Sequence, residues 1–208
     1  LITSENIKNH INDIPEYFHK LHPAHQADFV RVNVICDYGG IWLDSDTIVL
    51  DSLDSLFDII DKNEGFLIKE NNDYVSNGIF GSKKGADFMK KWKNEMIMKL
   101  DNTQGNIKWR DIGSYMLHNM YNLSPKLFEK YKIFKGLDNL FPVNWSDCVT
   151  EFITKPYDNY KTIIRAYQPL VLVNSVYKAL EYKTANEILD GNMPINYFIN
   201  KSFEKMKK

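Results

Sequence analysis

The chain has 208 residues, of which 44% are hydrophobic and 13% aromatic, enough to bury a core and to exclude a disordered chain. Its 26 Lys and Arg balance 27 Asp and Glu, which excludes the broad basic footprint of a dedicated nucleic-acid binder. Cys36 and Cys148 are far apart and have no Cys or His at zinc or redox spacing, so they read as buried thiols. No stretch reaches the ~18 apolar residues of a membrane span; the nearest, Ile163 to Tyr177, is interrupted by Arg165, Gln168 and Asn174. As given the chain reads as soluble, and two locations stay open: cytoplasmic or, if an anchor lies upstream, membrane-associated. The first residue is Leu1, not Met, and no targeting pattern follows it, which fits a domain truncated at its N-terminus. With 23 Lys to 3 Arg and abundant Asn and Ile, the chain carries the bias of an AT-rich genome.

In chain order, Thr3 or Ser4 caps a short helix to Ile11, and Asp13 with Pro15 opens another through Leu21. The segment Pro23 to Asp37 places Ala27, Val30, Val34 and Tyr38 at helical spacing, and Gly39-Gly40 stops it. Ile41 to Leu50 is apolar apart from its middle, the pattern of a central strand covered on both faces. Leu53 to Ile60 predicts a helix, Gly65 to Lys69 and Val75 to Ser82 strands, Ala86 to Leu100 and Asp111 to Leu123 helices. Short strands follow at Lys132 to Lys135, Thr162 to Ala166 and Leu170 to Val173, with the turn-rich Phe141 to Trp145 between. Pro194 to Lys208 forms a basic amphipathic helix with Ile195, Phe198, Ile199, Ser202, Phe203 and Met206 on one face. It either docks on its own domain or contacts a membrane surface. The alternation without a linker predicts one compact α/β domain over residues 1–208.

The chemistry converges on Asp44-Ser45-Asp46. Residues two apart in a strand share a side, so both carboxylates would sit together near the end of an apolar strand. Burying them costs several kcal/mol each unless a cation is present. From Asp37 to Asp61 there are seven aspartates and no Lys or Arg, so a divalent cation is the economical compensation. Oxygen-only ligands suit Mg²⁺ or Mn²⁺ shared with a substrate phosphate. Upstream, Asp28 and Arg31 are three apart on one helix face, either a surface ion pair or a pair facing the same cleft.

The stretch Ala24 to Leu56 resembles the DxD sugar transferases of glycosyltransferase family 32 and the related capsular polysaccharide synthesis proteins. Ala24, Asp28, Arg31, Gly39, Gly40, Ile41, Trp42, Asp44 and Asp46 match that core in register. Weaker resemblance continues at Ser76-Asn77-Gly78-Ile79, at Asp111-Ile112-Gly113-Ser114 and at Phe141 to Trp145. The resemblance implies a GT-A-like fold, a mostly parallel sheet with helices on both faces, its first strand-helix unit missing. It also implies transfer of a hexose from a UDP-sugar, with Mn²⁺ or Mg²⁺ and with retention, to a glycan, lipid-linked or protein hydroxyl acceptor. By it, Asp46 ligates the metal and Asp44 faces ribose and sugar. Asp28 and Arg31 hold donor-sugar hydroxyls, Asn77 lies beside the transferred sugar, and Gly39 and Gly40 bring backbone close to the donor. Where the family carries a His near the diphosphate this chain has Leu170, leaving Asn174 and Ser175 as substitutes. Asp111 is the carboxylate placed nearest the cleft, the base were the reaction to invert. Two other classes stay open: a non-catalytic nucleotide-sugar or glycan-binding relative, and a haloacid-dehalogenase-like phosphatase, whose motif wants Thr where Ile48 stands.

Overall fold

A computed structural model describes residues 2–70, 73–135, 143–164, 169–173 and 176–206. The chain divides into two compact units, each assembled from separate segments. Residues 1–42, 56–67 and 74–133 make the first; 43–55, 68–73 and 134–208 make the second.

In the first unit, helix α1 (Pro23–Tyr38) starts as its sequence predicts, with Pro23 at the first position and His22 Nδ1 accepting from Ala24 N. Gly39 ends it at φ 75, a left-handed conformation glycine adopts without strain. It buries Phe29, Val32, Ile35 and Cys36 but also Asp28, Arg31 and Asn33, so it has no wholly polar face. Strands β1 (Gly40–Leu43), β3 (Gly65–Lys69), β4 (Val75–Ser82) and β5 (Tyr131–Lys135) form a sheet in the order β1-β4-β3-β5. Helix α2 (Asp54–Lys62) precedes β3, and α3 (Asp87–Thr103) and α4 (Ser114–Leu123) both lie between β4 and β5.

The sheet is mixed, which corrects the expectation of a mostly parallel one. Lys83 N donates to Glu64 O, setting the end of β4 against the start of β3, and Gly39, just before β1, lies against Ser82 and Lys84. So β4 runs against both neighbours, whereas Glu64 N to Lys130 O aligns the starts of β3 and β5. The reason is connection length: residues 70–74 are too few for the dozen or so that a parallel crossover needs. Under this sheet an aromatic core collects Phe80, Phe88, Trp92, Phe128 and Tyr131, with ring centroids 4.7 Å apart for Phe88 and Phe128. Trp92 Nε1 donates to Ile112 O at 2.9 Å, so its one polar atom is satisfied.

The expected strand from Ile41 to Leu50 is instead two, with Asp44-Ser45-Asp46 as the turn between β1 and β2 (Thr47–Val49). Three successive turn-forming polar residues outweigh the apolar flanks, and Thr47 N closes the turn on Asp44 O at 3.0 Å. In the second unit β2 pairs antiparallel with β6 (Leu170–Leu172), in the register Thr47 to Leu172, Ile48 to Val171, Val49 to Leu170. Of the strand predicted from Thr162 to Ala166, Thr162 and Ile163 belong to helix α5 (Tyr160–Ile163), Ile164 caps it, and residues 165 and 166 lie outside the described residues. Ile163 is buried in the second core with Leu50, Cys148, Phe152, Val171 and Phe198.

Helices α6 (Tyr177–Leu180) and α7 (Ala185–Leu189) are short, the latter opened by a capping box between Thr184 and Glu187. The last helix, α8 (Pro194–Met206), docks on its own unit through Ile195 and Phe198, and Lys205 pairs with Asp51 at 2.9 Å. Tyr160 and Tyr197 stack with centroids 3.8 Å apart. No helix among the described residues is long and apolar enough to cross a membrane.

Both cysteines are buried and free, as their spacing predicts. Burial, with the carboxylates of Asp46 and Asp147 next, pushes the Cys148 thiol from 9.0 up to about 12. The unfolded chain releases this proton above pH 9 while the folded chain keeps it, so the contribution is intact below pH 9 and is lost as pH rises toward 12. Urea midpoints of the wild type are expected to fall between pH 8.5 and 10.5, with a maximal slope from this one proton of about 1.4 kcal/mol per pH unit. The Cys148→Val protein should show a shallower fall; an identical fall in both would exclude Cys148 as a source.

Candidate functional site

Asp28 lies one and a half turns into α1, with Arg31 one turn further on the same face. Their side chains meet, Arg31 Nε to Asp28 Oδ1 at 3.4 Å, and both residues are more than nine-tenths buried, at 7% and 6% exposure. The surface reading of this pair is therefore excluded. Strand β4 supplies the third member. Asn77 Nδ2 donates to Asp28 Oδ1 at 2.9 Å, and Asn77 O accepts from the Arg31 guanidinium at 2.6 Å. Trp42 forms one wall, its ring 5.0 Å from the guanidinium carbon. Gly113, at the cap of α4, forms another: a Cβ built there would lie 2.5 Å from Asp28 Cγ, so only glycine fits. The carboxylate thus sits at the positive end of a ten-residue helix.

Three sequence-predicted site residues, Asp28, Arg31 and Asn77, are brought into direct contact although 46 residues separate Arg31 from Asn77. Gly39 has its close approach to protein, not to open space, since a Cβ there would meet Lys84 N at 2.7 Å. Gly40, at φ 110, has nothing among the described residues within 4 Å of such an atom.

In the second unit Asp44 and Asp46 are half-buried on their turn, and Asp46 O accepts from Val173 N at 2.9 Å. Beside them the buried Thr47 hydroxyl has no hydrogen-bond partner among the described residues. No group of three or more His, Cys, Asp or Glu able to hold a metal occurs among the described residues. A two-carboxylate oxygen donor set fits a hard cation that completes its shell with water and phosphate rather than an all-protein cage. Asn174 and Ser175 lie outside the described residues.

Asp111 is engaged by groups outside the trio. Its carboxylate pairs with Lys99 at 3.2 Å, accepts from Lys108 N, and lines a cavity of about 230 Å³ with Lys91, Glu95 and Tyr115. Burial raises its pKa, but the Lys108 N–H and the Lys99 ammonium outweigh that and hold it below the usual carboxylate range. The expected helix start at Asp111 is displaced to Ser114, because Arg110 takes φ 69 and Gly113 caps. Of the histidines, His25 packs with His22 and Trp109, and burial followed by the His22 charge lowers its pKa.

The sequence reading missed Tyr74 and Arg110. Tyr74 OH donates to Ser114 Oγ at 3.1 Å, its ring stacks on His118, and Arg110 lies over it. Only the turn-prone Asp111 to Ser114 step gave any signal there.

A family model described as capsular polysaccharide synthesis protein matches residues 1–105, half of the chain, and includes Asp28, Arg31, Asp44, Asp46 and Asn77. The chain belongs to this capsular polysaccharide synthesis family. The chain is also similar to an uncharacterized protein of Arabidopsis thaliana, 25% identical over 138 residues. That match takes in 66% of this chain and 21% of the plant protein, so the chain spans about a fifth of that relative. No solved structure matches.

The trio makes one prediction in stability. Arg31→Met leaves the buried Asp28 carboxylate without its cation, which should cost about 3–5 kcal/mol. Urea unfolding checks this; a loss under about 1 kcal/mol would mean that Asp28 is not charged in the folded protein.

Proposed function

We propose that this member of the capsular polysaccharide synthesis family is a metal-dependent, retaining glycosyltransferase of GT-A type, akin to family 32. It moves a hexose from a UDP-sugar to a hydroxyl of a glycan, a lipid-linked glycan or a protein. The observation that carries the reading is the buried Asp28, Arg31 and Asn77 constellation. Sequestering such groups is costly for a fold, and their alternating donors and acceptors are what sugar hydroxyls require.

In this reading Asp46, with Asp44, holds Mn²⁺ or Mg²⁺, and the ion, when bound, neutralises charge on the leaving diphosphate. Asp44 also accepts from donor ribose and sugar hydroxyls. Asp28 accepts from one hydroxyl of the hexose, Arg31 donates to another, and Asn77 turns its amide to the transferred ring. The open side of Gly40 takes the donor against main chain. Asn174 and Ser175 serve the diphosphate where relatives use His.

The acceptor oxygen attacks the anomeric carbon on the face from which UDP departs. One C–O bond forms, the bond to the diphosphate breaks, and the acceptor proton passes to the departing phosphate oxygen. No carboxylate base is needed, in keeping with Asp111 being engaged by Lys99.

Incubation with a panel of UDP-hexoses, with and without Mn²⁺, tests the reaction. Turnover should require the ion, Asp46→Ala should abolish it with the fold retained, and Asp28→Asn should lower kcat/KM by roughly 10²-fold while UDP binding barely changes. Sugar-nucleotide binding without any turnover would favour the non-catalytic relative. Proton NMR of the product should show an α-anomer from an α-linked donor; a β-linked product would overturn retention and redirect attention to Asp111.

A further inference from the structure

Close in sequence to Gly113, which backs on Asp28, is a cation that no group among the described residues neutralises. Arg110 is exposed, and among the described residues it makes no ion pair, although Asp111 follows it directly. Asp111 is taken up by Lys99 and by the Lys108 N–H. The Arg110 guanidinium carbon lies 5.5 Å from the Tyr74 ring centroid, and that ring stacks on His118 at 4.7 Å and 27°. The Tyr74 hydroxyl donates to Ser114 Oγ, which fixes the ring in turn.

The main chain of Arg110 is in the left-handed region at φ 69, closed by Tyr115 N to Arg110 O at 3.1 Å. A residue with a Cβ holds that conformation only where its surroundings impose it. The strained main chain sets where the side chain leaves the backbone, the Tyr74 ring supports its guanidinium, and among the described residues it has no counter-ion. Its position relative to the trio follows from two consecutive residues: Gly113 backs on the Asp28 carboxylate and Ser114 holds Tyr74.

We propose that Arg110 is an oxyanion-recognition residue, receiving a phosphate or carboxylate of the ligand whose hydroxyls reach Asp28 and Asn77. The proposal rests on the transferase reading for the statement that this ligand is a sugar derivative. A planar guanidinium presented on an aromatic face forms paired hydrogen bonds with either oxyanion. Two sources carry such a group: the diphosphate of the donor, and a uronic-acid residue of an acidic acceptor glycan.

Titration calorimetry at low salt with two probes separates them, UDP with Mn²⁺ and a hyaluronan tetrasaccharide, with neutral maltotetraose as control. Wild type should bind at least one anionic probe. Arg110→Gln should weaken that probe at least tenfold, Arg110→Lys should recover part of the loss, and maltotetraose should respond to neither change. Loss confined to UDP assigns the site to the donor, and loss confined to the tetrasaccharide assigns it to the acceptor. Arg110→Gly, which suits the φ 69 backbone, guards against misfolding: it should unfold no earlier than wild type and lose the anion equally. Anion affinities unchanged in Arg110→Gln, or no binding of either anion by wild type, would overturn the proposal. If anion binding depends on Arg110 but no UDP-hexose is turned over, the oxyanion site stands and the transferase reading falls.

Discussion

The Asp28 carboxylate is the point on which the first unit is organised. Taking it and Arg31 out of water costs several kcal/mol, and their attraction offsets this only when the remaining lone pairs are also satisfied. Asn77 on β4 satisfies one, Arg31 donates to the Asn77 carbonyl, and Gly113 gives up its side chain to let α4 approach. A helix, a strand and a second helix are thereby fixed in one register. The apolar contacts of Phe29, Val32 and Phe80 supply most of the burial but tolerate sliding, whereas a polar contact a few tenths of an ångström out of place leaves a charge unsatisfied. Stability here is traded for position.

Where local pattern and tertiary context agree, the sequence was readable. Helix α1 follows from Pro23, the spacing of its apolar residues and Gly39; β3 and β4 follow from their apolar runs between turn residues. The resemblance assigns Asp28, Arg31 and Asn77 to one donor sugar, but their direct contact was not foreseen, since no spacing rule joins a helix residue to a strand almost fifty positions later. Where two local signals compete, the reading failed. Asp44-Ser45-Asp46 was treated as the interior of a strand because its flanks are apolar, yet its own turn propensity divides β1 from β2. The direction of β4 was hidden for another reason: residue pattern says which segments are strands, and only the length of the connection reveals which way they run. Arg110 over Tyr74 has no sequence signature, because a cation over a ring needs only proximity in space.

The family match and the site do not share the same limits. The matched residues end at 105, while Gly113, which shapes the Asp28 pocket, and Ser114, which anchors Tyr74, come after it. The portion shared with the family thus carries the polar groups, and the following turn and α4 supply their enclosure.

The ribbon of β2 and β6 is only three residues long on each side, and two strands of that length do not hold together in water by pairing alone. They persist because Leu50, Leu170 and Val171 are buried, the first and last of them in a core shared with Phe152 and Phe198 from the C-terminal third of the chain. The Asp44-Ser45-Asp46 turn is tied to that ribbon by the Val173 N to Asp46 O bond. Its carboxylates can therefore be no better ordered than the aromatic packing beneath the ribbon. A chain cut before α8 would keep every acidic residue of the turn and still lose the packing that holds the turn in place.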